Sequence, residues 1–104
     1  MKILITGAKG FIGMHLVEHL SKYHEVIGID FQDGDLREDG VADYLIKLHH
    51  PDIVVHLAAQ VGIYFNECDC VHAINSNAIM TLTIAQACSK YGARLVHTST
   101  SEVY

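Results

Sequence analysis

"KILITGAKGFIG", residues 2–13, begins as a short β-branched apolar run, turns on glycine and passes straight into a second pattern. The first part has the composition of a strand buried on both faces. From Phe11 the period changes. Ile12, Leu16, Val17 and Leu20 recur at helical spacing, while His15, Glu18, His19 and Lys22 fall on the opposite arc. Between the two lie Gly7, Gly10 and Gly13, spaced G-x-x-G-x-x-G. Glycines at a strand-to-helix turn permit a tight bend, close approach of backbone to a pyrophosphate, and helix packing near the sheet. The helix N-terminus adds N–H groups and a partial positive charge for phosphates.

The same alternation continues along the chain. "EVIGID" (25–30) predicts a second strand, and Val41, Ala42, Leu45 and Leu48 mark a second helix that Pro51 closes. "DIVVHLAA" (52–59) predicts a third strand. A long helix with Ile74, Ala78, Leu82 and Ala85 on one face then runs to Gly92, and "RLVHTS" (94–99) predicts a fourth strand. Strands alternating with helices imply βαβ units. The expected fold is α/β, a Rossmann-type doubly wound parallel sheet, incomplete at about four strands with flanking helices. No linker or repeat divides residues 1–104, which form one dinucleotide-binding part.

Asp30 ends the second strand, placed to accept hydrogen bonds from the hydroxyls of an adenosine ribose. A carboxylate there repels the extra phosphate of NADP, so the expected cofactor is NAD, with NADP disfavoured.

Composition narrows the partners. Half of the 104 residues are apolar, 18% are charged, and the formal net charge is −5. Without a basic cluster there is no electrostatic footprint for nucleic acid or an anionic membrane. No apolar run approaches the length of a membrane span, and no secretory signal pattern opens the chain. Three cysteines without framework spacing suit a reducing compartment, so the expected location is cytoplasmic.

Six stretches in order resemble the extended short-chain dehydrogenase/reductase family, NAD-dependent epimerases, dehydratases and decarboxylases of nucleotide sugars. They are "TGAKGFIG", Asp30, "GDLRE" (34–38), "VVHLAA" (54–59), "NAIMT" (77–81) and "STSEVY" (99–104). The resemblance covers the whole chain. It implies that Gly7, Gly10, Phe11, Ile12 and Gly13 bind the cofactor's phosphates and that Asp35 and Leu36 flank its adenine. Leu57, Ala58 and Ala59 would line its path, and Asn77 would meet it from the long helix. Thr100 would polarise the reacting sugar oxygen, with Ser101 and Glu102 completing the catalytic set and Glu102 acting as acid or base.

Two features depart from the family pattern. Asp30 and Asp35 are only five residues apart, where the family usually places a helix; this compact crossing resembles dTDP-4-dehydrorhamnose reductases. Secondly, the family's chemistry needs Y-x-x-x-K, whose lysine lowers the phenol's pKa for proton exchange. None of Tyr23, Tyr44, Tyr64, Tyr91 and Tyr104 is followed by that lysine within these residues. The chain is therefore expected to be the N-terminal part of a longer enzyme or a truncated frame, without the C-terminal substrate lobe and inactive on sugar by itself. A 4-keto sugar intermediate is implied for the parent enzyme, whose substrate is a nucleotide sugar.

The alternatives are a sugar 4-keto reductase and a non-catalytic NAD-binding or interaction module. An uncovered sheet is expected to drive self-association. "HLVEH" (15–19) matches a zinc-hydrolase pattern but lacks a third local ligand, so no metal site is expected. His56, in an apolar strand, is expected to be a satisfied core histidine.

Overall fold

The computed structural model describes residues 1–58 and 70–98, without the side chains of residues 70–74. Its elements run β1 (Lys2–Thr6), α1 (Phe11–Leu20), β2 (Glu25–Ile29), α2 (Val41–His49), β3 (Ile53–His56), α3 (Cys70–Tyr91) and β4 (Arg94–His97). Among the described residues the strands form one sheet in the order β2-β1-β3-β4, with every pair parallel.

The pleat divides the sheet's side chains between two layers of helix. Ile3, Ile5 and Val55 point to one face and pack with Leu16, Val17 and Leu20 of α1. Leu4 and Val54 point to the other and join Ala42, Leu45 and Ile46 of α2 and Ile84, Ala87 and Cys88 of α3. Leu4, Ile5, Ile46 and Val54 are completely buried; each such side chain contributes about 1.5–3 kcal/mol relative to exposure. Helices on both faces of a parallel sheet make this the doubly wound arrangement expected from the sequence.

Helix ends follow local chemistry. α2 stops where His50 takes a left-handed backbone (φ 48°) immediately before Pro51, and α3 stops before Gly92 at φ 74°. Asp43 of α2 ties the two helices together, accepting from Lys90 Nζ and from the Tyr91 hydroxyl, both at 3.0 Å.

Several expectations need correction. β2 stops at Ile29, and Asp30 instead caps a 3-10 turn, Phe31–Asp33; β3 and β4 are likewise shorter than the apolar runs that mark them. Leu48 is exposed, and Ile46 takes the core position. Ile12 is also exposed, and it is Gly13 of the same turn that is buried against the turn leaving β1. The inward face of α3 is not the one through Ala78, Leu82 and Ala85. Ser76, Ile84, Ala87 and Cys88 are buried, and Ile79 and Leu82 face outward. α3 carries apolar residues on both arcs, and the sheet with α2 selects one of them.

The crossing from β2 to α2 is compact: only the 3-10 turn separates Asp30 from the Gly34–Glu38 stretch. Beyond β1 the chain winds outward to β2, then returns past β1 to β3. The connections that leave the carboxyl ends of β1 and β3 therefore lead to helices on opposite faces of the sheet, opening a crevice at the switch point. On the α1 face, α1 packs over β1 and β2 and not over β4, whose Val96 remains 46% exposed.

Candidate functional site

The crevice holds a cavity of about 660 Å³, within the size range of small-molecule and cofactor sites. Its floor and near wall are Thr6, Gly7, Lys9 and Gly10, the exit of β1. Asp30, Phe31 and Asp35 to Arg37 form the β2 side, Leu57 and Ala58 the β3 side, and Ser76 and Met80 reach in from α3.

The glycine turn is closed around its own backbone. Gly7 has φ 71°, and a β-carbon there would lie 2.9 Å from the backbone nitrogen of Ala58. Gly10 N–H donates to Gly7 O at 3.0 Å, and Gly10 caps α1 without any side-chain hydrogen bond. The N–H groups of Phe11, Ile12 and Gly13, in the first helical turn, have no acceptor within the helix. The positive pole of α1 lies at this end of the helix, next to its cap Gly10, which lines the cavity.

Asp30 is held rigidly. Its Oδ1 accepts from Phe31 N–H at 2.8 Å and its Oδ2 from Lys9 N–H at 2.9 Å, while Asp33 returns a carboxylate oxygen to Asp30 N–H at 2.9 Å. Each carboxylate oxygen keeps a lone pair beyond these bonds. The contact with Lys9 fastens the end of β2 to the glycine turn.

Arg37, within "GDLRE", is central to the opposite wall. Its Nε and Nη2 grip Asp35 at 2.9 and 2.7 Å, its N–H adds a 3.0 Å bond, and Nη1 reaches Ser76 Oγ at 3.3 Å. The guanidinium, bonded to Asp35, holds that carboxyl below the usual carboxylate range. Thr83, about two turns along α3 from Ser76, donates to Leu36 O at 2.8 Å. The Asp35–Arg37 segment is thus fixed to α3 at two points.

At the base of the crevice Thr6 and His56 are both buried, with Thr6 Oγ1 2.7 Å from His56 Nδ1. Burial, with a smaller contribution from the stacked ring of His97, pushes the His56 pKa down to about 4. His56 is therefore a neutral, satisfied core histidine, as its place in an apolar strand suggests.

The structure thus brings Gly7, Gly10, Asp30, Asp35, Leu36, Leu57 and Ala58 around one cavity; Phe11, Ile12 and Gly13 follow Gly10 in the first turn of α1 and are not among the lining residues. Asn77 is half-buried on α3 beside Ser76 and is not among the lining residues. Ala59, Thr100, Ser101 and Glu102 lie outside the described residues. Lys9, Arg37, Ser76 and Met80 line the cavity without having been singled out from sequence. His15, Glu18 and His19 stay on the outer arc of α1, and among the described residues no group of three or more His, Cys, Asp or Glu side chains is gathered for a metal. Among the same residues no helix is long and apolar enough to cross a membrane.

A dinucleotide fits this arrangement. A β-carbon at Gly7 would meet the Ala58 backbone and one at Gly13 the backbone of Gly7 and Ala8, so the turn packs backbone on backbone; the Asp30 carboxylate, bonded to Lys9 N–H, stands beside it, and the adjoining cavity has cofactor size.

Comparison with known proteins agrees. Residues 3–104 match the NAD dependent epimerase/dehydratase family. UDP-glucuronic acid decarboxylase 3 of Arabidopsis thaliana is 34% identical over an alignment covering 100% of this chain and 35% of the relative. The dTDP-4-dehydrorhamnose reductase of Bacillus anthracis, solved in complex with NADP, superposes with a TM-score of 0.91 at 29% identity, over 99% of this chain and 37% of that one. The Thermus thermophilus UDP-glucose 4-epimerase, solved in complex with NAD, gives 0.85 at 32% identity, over 96% and 38%. The chain spans about a third of the length of the curated relatives it matches.

Proposed function

This chain belongs to the NAD dependent epimerase/dehydratase family, and we propose that it is the NAD-binding portion of a nucleotide-sugar epimerase, dehydratase or decarboxylase acting through a 4-keto sugar. The observation that carries this reading is the crevice at the switch point between β1 and β3, bordered by the glycine turn and by the Asp30 carboxylate bonded beside it. In it the N–H groups of Phe11, Ile12 and Gly13 hold the pyrophosphate beside Gly7 and Gly10. Asp30 takes the ribose hydroxyls, Asp35 and Leu36 border the adenine, and Leu57, Ala58 and Ala59 line the way to the nicotinamide. Asn77 contributes from α3.

When bound, the cofactor supplies a hydride acceptor. The chain's own part in the chemistry is Thr100, which polarises the sugar oxygen, with Ser101 and with Glu102 as acid or base. Residues 1–104 contain no Y-x-x-x-K, and their part in this reading is to bind the cofactor. NAD is preferred to NADP because Asp30 presents negative charge where the extra phosphate would sit. The reading places the protein in the cytoplasm.

A second reading, a sugar 4-keto reductase, draws support from the compact crossing between β2 and α2. Self-association is also proposed, because Val96 of β4 and Ile79 and Leu82 of α3 leave apolar surface open on two sides.

Amide shift mapping tests the main reading. Adding NAD to the labelled chain is expected to move the resonances of Gly7, Gly10, Phe11, Asp30 and Ala58 together. Saturable shifts confined to other surfaces, or none in a folded chain, would overturn it. A non-catalytic module would bind identically, yet the protein carrying the complete sugar lobe would then leave nucleotide sugars unchanged.

A further inference from the structure

Thr6 Oγ1 has three polar neighbours, and only one of them can take its proton. The N–H groups of Leu57 and Ala58 both approach it at 3.0 Å, the former shared with the Thr6 carbonyl at 3.2 Å. Both of these are donors. The third neighbour is His56 Nδ1 at 2.7 Å. Thr6 is fully buried, so no water can accept from its hydroxyl. A hydroxyl offers one proton and two lone pairs. With N–H groups directed at the lone pairs, the proton must go to Nδ1, which must therefore be bare.

We propose that Thr6 and His56 are a positioning pair for the crevice: neutral His56, protonated on Nε2 alone, takes the Thr6 hydroxyl proton and leaves the hydroxyl oxygen to hold the Leu57 and Ala58 backbone at the cavity wall. This wall has no slack, because Ala58 N sits 2.9 Å from where a Gly7 β-carbon would be. A β3 exit that drifted would close on the glycine turn or part from it. A proton on Nδ1 would set three donors against one hydroxyl oxygen and strand the hydroxyl proton in a dry site. Burial of His56 acts in the same direction, since it disfavours the charged ring. Thr98 Oγ1 donates to His56 O at 3.3 Å, so the end of β4 is tied to the same residue.

The effect on affinity rests on the dinucleotide reading above, whereas the pair itself is tested without any ligand. Long-range nitrogen–proton correlation on the labelled chain at neutral pH should find His56 in the Nε2–H tautomer. Amide exchange should be slow at Ala58 in the unaltered chain and in Thr6→Ser, and faster by about tenfold or more in Thr6→Val, which keeps the shape and loses the hydroxyl. NAD binding should follow, with Thr6→Ser within about twofold of the unaltered chain and Thr6→Val weaker by about tenfold or more. An Nδ1–H or cationic His56 would overturn the proposal, as would an Ala58 amide equally protected in a folded Thr6→Val. Should Thr6→Val not fold, the tautomer and the Thr6→Ser exchange decide. If the unaltered chain binds no dinucleotide, the cofactor reading falls, while tautomer and exchange still decide the pair.

Discussion

A β-carbon on Gly13 would lie 2.1 Å from the carbonyl oxygen of Gly7, so the first turn of α1 rests directly on the turn that leaves β1. Nothing flexible can yield there, since both partners are backbone. Gly13→Ala is expected to destabilise the chain by about 1–3 kcal/mol, the usual range for overpacking, and to weaken NAD by misplacing the helix N-terminus. Gly40→Ala is the control. Gly40 has φ 83° with open space around it, so it should cost about 1 kcal/mol of backbone strain and leave NAD affinity unchanged. Urea unfolding and NAD titration of both variants check this.

Arg37→Met removes the grip on Asp35 and the link to Ser76. The bidentate pair is partly exposed, with side-chain exposures of 34% and 16%, so the expected loss of stability is small. Because Arg37 lowers the Asp35 pKa in the folded state, the pair's contribution is present above the ordinary carboxylate pKa and is lost as pH falls through the folded value. Stability differences between the two proteins should therefore shrink on acidification, and a constant difference down to strongly acid pH would contradict the assignment.

His56 gives a second pH signature at higher pH. Its pKa falls from 6.5 to about 4 on folding, so between those values the unfolded chain binds more protons. Stability is then fully present above the unfolded value and declines as pH drops through that window, by roughly 3 kcal/mol at about 1.4 kcal/mol per unit. The stacked His97 ring is the neighbouring titratable group. His56→Asn keeps a side-chain acceptor for Thr6 without a titrating ring, and it should flatten the slope between pH 4 and 6.5 in denaturant unfolding.

The sheet, its parallel sense and the glycine turn were legible because each is written in local pattern: apolar runs of strand length, a change of period at Phe11, and glycines at the junction. The compact crossing was legible from the spacing of Asp30 and Asp35. The inward face of α3 was not. Ala78 and Leu82 form as regular an apolar row as Ile84, Ala87 and Cys88, and only the position of α2 and the sheet decides between them. The same reason hid half of the cavity. Arg37 meets Ser76 across 39 residues, and Thr6 meets His56 across 50. Contacts of that separation leave no periodicity in a single sequence.

Calorimetric titration of the chain with NAD and with NADP, alongside Asp30→Ala, tests the central claim most directly. Asp30 also caps the 3-10 turn and binds Lys9 N–H, so the variant is expected to lose about 1 kcal/mol of stability and is to be measured where both proteins remain folded. The account predicts saturable binding with NAD tighter than NADP, and a loss of about tenfold in NAD affinity in the variant, with the preference between cofactors narrowed. A folded chain that binds neither dinucleotide, or binds both alike whether or not Asp30 is present, would contradict it.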